Sequence, residues 1–228
     1  TVVIPGKVEG TNFTDSLLVG HATTGTLNAA TYNTAVGIDA FKAVTSADQN
    51  TLMGYQSGKA ITTGGYNAAF GMNSGGALVS GSKNAAFGWG ALKTTTNHRN
   101  SALGADAGEV ISTGDNNVCI GFESGHNITS GDGNVTIGCA DVPTATADKQ
   151  LVISDGVDSS VNWISGDSSA NLQFNGTLTV GVDDTGKDVK FFGASAGAYM
   201  EWDESADQLR IMGASADATT STGKLLLA

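Results

Sequence analysis

Between residues 15 and 142 the apolar and polar positions of the chain repeat with a period of 17, which neither a helix nor a plain alternating strand produces. The clearest mark of the period is Asn-x-x-x-Gly, found at Asn33/Gly37, Asn50/Gly54, Asn67/Gly71, Asn84/Gly88, Asn100/Gly104, Asn117/Gly121 and Asn134/Gly138. A degenerate first copy has Ser16 and Gly20. Counted from Gly20, successive glycines lie 17, 17, 17, 17, 16, 17 and 17 residues apart. The residue before each glycine is apolar, as Val36, Met53, Phe70, Phe87, Leu103, Ile120 and Ile137, and the one before that is mostly small. Seven residues after the glycine comes a second apolar column of Leu27, Val44, Ile61, Leu78, Ile111 and Ile128, with Thr95 as the exception.

Short alternating stretches, separated by turns such as Thr63-Gly64-Gly65-Tyr66 and Ser130-Gly131-Asp132-Gly133, predict two strands per repeat and one solenoid coil per 17 residues. Eight coils about 4.8 Å apart would make a rod section of roughly 38 Å. The column from Val36 to Ile137 is expected to be buried, and the asparagines are expected to stack as an amide ladder. A coil offers three or four apolar side chains, worth at most ~3 kcal/mol each, against ~1–2 kcal/mol of backbone entropy for every ordered residue. Coils must therefore stack, and because an Ala-rich column encloses little core, other chains are expected to supply the missing wall.

After Pro143 the period stops. Residues 1–14 read as a lead-in strand, 15–142 as the solenoid and 143–228 as a second β-rich module. Strand-like segments in that module are 150–154, 161–165, 171–174, 178–182, 189–192, 199–202, 208–212 and 224–227. Turns at Asn175-Gly176, at 183–186 and at 203–207 separate several of them.

Composition removes several classes of function. The 228 residues include 32 Gly but only two Pro and no Gly-X-Y run, which excludes collagen and implies many tight turns. The regular placement of the glycines reads as coil turns. Formal charge is −11, from 22 acidic and 11 basic residues with no Lys or Arg run, so nucleic acid is not an expected partner. No apolar run approaches the ~20 residues that span a bilayer, so membrane insertion is not expected. Cys119 and Cys139 are too few for a disulfide framework or a closed zinc site and read as two buried thiols. Position 1 is Thr rather than Met, so the start is expected to have been processed, trimmed or left out.

The segment Asn33-Thr-Ala-Val-Gly-Ile-Asp-Ala-Phe41, with its copies to Gly138, resembles the head repeats of bacteriophage tail fibres and virion appendages. It is similar, more distantly, to the left-handed β-roll heads of bacterial trimeric autotransporter adhesins. Residues 163–212, with Asn175-Gly-Thr-Leu-Thr-Val-Gly and Tyr199-Met-Glu-Trp-Asp, resemble the shafts of such fibres, particularly from marine phages. The resemblance implies an all-β homotrimer, with a β-solenoid of β-roll or β-helix type followed by a β-prism-like shaft. It also implies a structural, non-enzymatic role on the virion, outside the cell, alongside other virion proteins. In that role the rod displays or forms a surface for a host glycan or protein receptor. A bacterial adhesin head, a polysaccharide-degrading tailspike and a capsid decoration fibre are the alternatives. The ending Leu225-Leu-Leu-Ala228 suits a mature product left after removal of a cleaved chaperone domain, or equally a truncation.

Candidate chemistry is sparse. Tyr55, Trp89 and Phe122 share the column just after the repeat glycine. Their parity with the apolar column favours packing between coils or chains, and contact with sugar rings is the other reading. His21, His98 and His126 read as scattered surface histidines, and Glu201, Asp203, Glu204 and Asp207 form the densest acidic cluster, of which 203–207 reads as a solvated hairpin turn. No nucleophile elbow, phosphate loop or zinc-protease motif occurs, and no catalytic residue, cofactor or metal is expected.

Overall fold

A computed structural model of the chain describes residues 6–20, 24–158, 160–180, 189–192, 198–203 and 208–212. Those residues are strands and turns and contain no helix. They fall into two units, residues 1–176 and 177–228, each considered by itself.

The first unit opens with an antiparallel hairpin of β1 (Gly6–Gly10) and β2 (Phe13–Val19). The two-residue β3 (Ala30–Thr31) pairs with the start of β2. The main ladder then climbs one short parallel strand per repeat. Its members are β4 (Thr34–Val36), β5 (Thr51–Met53), β6 (Ala68–Phe70), β7 (Ala85–Phe87), β8 (Ser101–Leu103), β9 (Val118–Ile120), β10 (Val135–Ile137) and β11 (Leu151–Ser154). Register follows the repeat without slippage, so that Ala35 lies beside Leu52, Ala69 beside Ala86 and Ala86 beside Ala102. Two antiparallel strands, β12 (Asn162–Gly166) and β13 (Leu172–Phe174), close the far end of the sheet.

This is the β-solenoid of about eight turns that the period implies, but it differs from the expectation in four ways. Each coil carries one three-residue strand rather than two strands, because the rest of the coil is a chain of turns with positive φ at recurrent places. Six of the non-glycine cases, Tyr32, Gln49, Tyr66, Lys83, Arg99 and Asn116, directly precede the repeat asparagine. The ladder also continues past Pro143 to Ser154, and the unit boundary falls at Gly176, not at residue 142. Sequence period ends earlier than the ladder because β11 keeps the register with residues of a different pattern.

The third difference concerns the core. In a three-residue strand the two ends face one way and the middle residue the other. The middle residues Leu18, Ala35, Leu52, Ala69, Ala86, Ala102, Cys119, Thr136 and Val152 are the buried ones. The column Val36, Met53, Phe70, Phe87, Leu103, Ile120 and Ile137 is half-buried or exposed, which corrects the expected burial. Small residues line the inner wall because Val44, Ile61, Leu78, Ile111 and Ile128 already fill the lumen as part of the same core cluster. In the coil where Thr95 replaces the aliphatic residue, Leu92 is buried at a place held elsewhere by Gly58, Gly75, Gly108 and Gly125.

The fourth difference lies in the repeat glycines, whose role is not that of tight-turn residues. Gly37, Gly54, Gly71, Gly88, Gly104, Gly121 and Gly138 sit half-buried in the bend just after each strand, with φ between +94° and +144°. A left-handed turn would hold φ at about +50 to +70°. Each glycine N–H instead extends the ladder, donating at 2.8–2.9 Å to a carbonyl on the preceding rung, from Val19 for Gly37 to Ile120 for Gly138. Close approach is the physical reason for the residue type. A Cβ on Gly37, Gly54, Gly71 or Gly121 would strike the carbonyl oxygen of the repeat glycine one rung on.

In the second unit, β14 (Val189–Phe192), β15 (Tyr199–Asp203) and β16 (Gln208–Met212) form a three-stranded antiparallel sheet. The expected strand at 178–182 is not formed over its described residues 178–180. The expected strand at 224–227, the turns at 183–186 and 204–207, His21 and the chain's apolar ending lie outside the described residues.

Candidate interaction surfaces

The outer face of the long sheet carries an apolar stripe from end to end, with Thr34, Thr51 and Ser101 as polar exceptions beside it. Leu17 and Val19 on β2 are followed by the end residues of each rung, among them Met53 (50% exposed), Phe87 (38%), Leu103 (55%) and Ile120 (39%). Phe70 and Phe87 stack on adjacent rungs with ring centroids 4.9 Å apart. A groove on this face is lined by Ala85, Phe87, Ser101, Leu103, Val118 and Ile120. Pairing carries the stripe onward: Ile153 lies beside Ile164, and Ile164 beside Phe174. From β2 to β13 the main path has eleven strands, or about 48 Å of exposed apolar surface at 4.8 Å per step.

Behind that face the rungs are tied by side-chain ladders. Each repeat asparagine is buried, and its Oδ1 accepts from the backbone N–H of the next asparagine at 2.9–3.0 Å, from Asn33 through Asn134. Its Nδ2 donates across its own coil to a turn carbonyl, for example Asn50 to Gly64 at 3.0 Å and Asn117 to Gly131 at 2.9 Å. Ser16 Oγ starts the ladder by accepting from Asn33 N, and Gln150 ends it by donating to Asn134 Oδ1. The expected amide ladder is thus present with defined ends.

Two further ladders did not stand out in the sequence. Eleven or so residues after the repeat glycine, a backbone N–H donates to the side chain one rung on: Ser82 to His98 Nδ1, His98 to Asp115, Asp115 to Asp132, and Asp132 to Asp148. The signal was diluted because Ser, His and Asp share only the capacity to accept. On another edge the hydroxyls of Thr45, Thr62, Thr96, Ser112 and Thr129 each donate to the carbonyl of the next rung.

Tyr55, Trp89 and Phe122 lie on the outside, exposed by 46%, 47% and 53%. Their column is held in register by backbone bonds such as Asn73 N to Tyr55 O (2.9 Å) and Asp106 N to Trp89 O (2.7 Å). A charged ladder runs nearby. Lys93 Nζ lies 6.0 Å from the Trp89 ring and 2.7 Å from Glu109, whose other oxygen is 3.4 Å from His126. The hydrogen bond from Lys93 lowers the Glu109 pKa, and the same bond raises that of Lys93. Asp106 is buried, its Oδ1 has no hydrogen-bond partner, and burial followed by the charge of Glu109 raises its pKa.

The sheet of the second unit has two unlike faces. Phe191, Met200 and Trp202 point one way, with Leu209 and Ile211 opposite the latter two in register, and most of this face is exposed. Lys190, Glu201 and Arg210 form a cross-strand row on the other face. Glu201 is 6% exposed and lies 2.8 Å from Lys190 and 3.6 Å from Arg210, which also reaches Asp203 at 2.9 Å. Glu201 is therefore a strand residue clamped between cations, and Asp203, expected in the turn, is the last residue of the same strand.

Cys119 and Cys139 are buried and not bridged, and burial pushes the Cys119 thiol up to about 11. Among the described residues, no group of three or more His, Cys, Asp or Glu could hold a metal ion, and no helix is long and apolar enough to cross a membrane. No protein-family model, curated protein or solved structure matches the chain.

Proposed function

We propose that the chain is a structural fibre protein, a homotrimeric rod of a bacteriophage tail fibre or related virion appendage that carries a surface for host attachment. The observation that carries this reading is the apolar outer face of the long sheet, which one chain leaves uncovered over about 48 Å. A monomeric protein seldom exposes so large a continuous apolar patch. Three copies turned inward about one axis would bury it, and the amphipathic sheet of the second unit asks for the same treatment, since Phe191, Met200, Trp202 and Leu209 are otherwise left in water. The phage assignment rests on the resemblance of the repeats and of residues 163–212 to fibre heads and shafts. Three chains at −11 each carry −33, which keeps such rods apart in solution.

Sedimentation equilibrium tests the assembly: the expected mass is three times 22.9 kDa. The double variant Leu103→Arg/Ile120→Arg places a charged ring at the centre of the contact and is expected to lower that mass. A wild-type monomer that is soluble and stable would overturn the reading. Labelling of virions with an antibody against the chain tests the location, and absence of label from tails and capsids would overturn that part.

A further inference from the structure

We propose that the column beside the repeat glycines is a lane for a neutral, extended polysaccharide, with Tyr55, Trp89 and Phe122 as stacking platforms. The inference builds on the fibre reading, in which the sheet face is internal and this column lies outside it.

The column reads Ile38, Tyr55, Met72, Trp89, Ala105 and Phe122, one residue per rung. Aromatic rings therefore recur at every second rung, about 9.6 Å apart, which is close to the length of one disaccharide in a fully extended glycan chain. Packing between rungs does not ask for this alternation. The stacked pair Phe70 and Phe87 shows what rung-to-rung packing looks like here, with aromatics on consecutive rungs in contact. Tyr55, Trp89 and Phe122 instead leave about half their surface free. Sugar rings stack on such faces through their C–H groups, and Tyr and Trp present an apolar body with a polar tip.

At two of the three platforms the following residue supplies a hydrogen-bonding edge of the kind hydroxyl recognition needs, while Gly90 follows Trp89. Gln56 and Glu123 follow Tyr55 and Phe122, and both hold φ above +50°. Gln56 is fixed by its bonds to the Tyr55 hydroxyl and to Lys59, each at 3.0 Å. Lys93 Nζ lies over the Trp89 ring, 6.0 Å from its centroid and already paired with Glu109, which leaves the opposite ring face for a sugar. Charge selects among glycans. Lys59 and Lys93 are outnumbered along the lane by Asp106, Glu109 and Glu123 in a chain of −11, so polyanionic chains are repelled and neutral ones are not.

The test is retention of the intact protein on insoluble cellulose and chitin, which are extended, against starch and dextran, which are not. Wild type is expected to bind the extended pair selectively. Trp89→Ala and Phe122→Ala are each expected to weaken binding roughly tenfold, while Met72→Ala leaves it unchanged. Sedimentation mass is measured on the same samples. Failure of wild type to bind either extended glycan, or retention of both aromatic variants at wild-type strength, would overturn the lane. A fall in oligomer mass in Trp89→Ala would do the same by assigning the column to packing. A monomeric wild type would instead strike at the fibre reading.

Discussion

Two residues of the repeat do different work, and substitution separates them. Gly88 has φ of +144°, a conformation side chains rarely adopt, and a Cβ there would run into the carbonyl oxygen of Gly104 on the next rung. Gly88→Ala is expected to cost about 3 kcal/mol through combined strain and clash, read by chemical denaturation. Asn117 accepts from Asn134 N and donates to Asn100 Oδ1 and Gly131 O. Asn117→Ala strands buried groups on two rungs, and a loss of about 2–4 kcal/mol is expected in the same measurement. That both positions are structural was legible in the sequence, because a strict spacing of Asn and Gly has few physical causes. Why glycine is needed was not, since composition alone cannot tell a turn from a place where two rungs touch. The orientation of the neighbouring column was hidden too. Apolar character at Met53 or Leu103 says that a side chain wants to leave water, but not whether its own lumen or another subunit receives it. Only the volume already filled by Ile61, Leu78 and Ile111 decides that.

At the scale of an element, the charged edge near Trp89 couples stability to pH in two opposed ways. Glu109 has a lowered pKa, so its stabilisation is present above the ordinary glutamate value and is lost as pH falls through the folded one. Asp106 has a raised pKa, so it favours the folded state in acid and that advantage is lost as pH rises. Asp106→Asn removes the buried charge and is expected to melt above wild type at neutral pH, with the gap closing in acid below the carboxylate range. A gap that persists there in thermal melts would assign the effect to packing instead. The mixed Ser, His and Asp ladder belongs to this scale too. It escaped the sequence because the column keeps a hydrogen-bonding role rather than a residue type.

At the scale of the molecule, the lone 16-residue spacing is instructive. Register across β7 and β8 is kept, with Ala85 beside Ser101, because the missing residue is taken from a turn. Thr96 still pairs with Ser112, and the Asn97 carbonyl accepts from Asn84 where a glycine carbonyl does so on other rungs. Rungs are thus modular. Deleting residues 67–83, one whole unit, is expected to leave a folded rod shorter by about 4.8 Å, measurable by small-angle scattering. Sequence pattern foretold this modularity but placed the end of the rod too early, since β11 to β13 hold the sheet together without the repeat.

The antiparallel strands at the two ends of the sheet have a consequence for growth. A stack of identical parallel rungs is a template that could recruit further rungs from any neighbour, as amyloid does. Here the first rung is shielded by β1, which runs backwards against β2, while β12 and β13 reverse direction beyond β11. An incoming parallel rung finds no matching partner at either terminus. The number of repeats in the chain, rather than protein concentration, therefore sets how long the solenoid becomes.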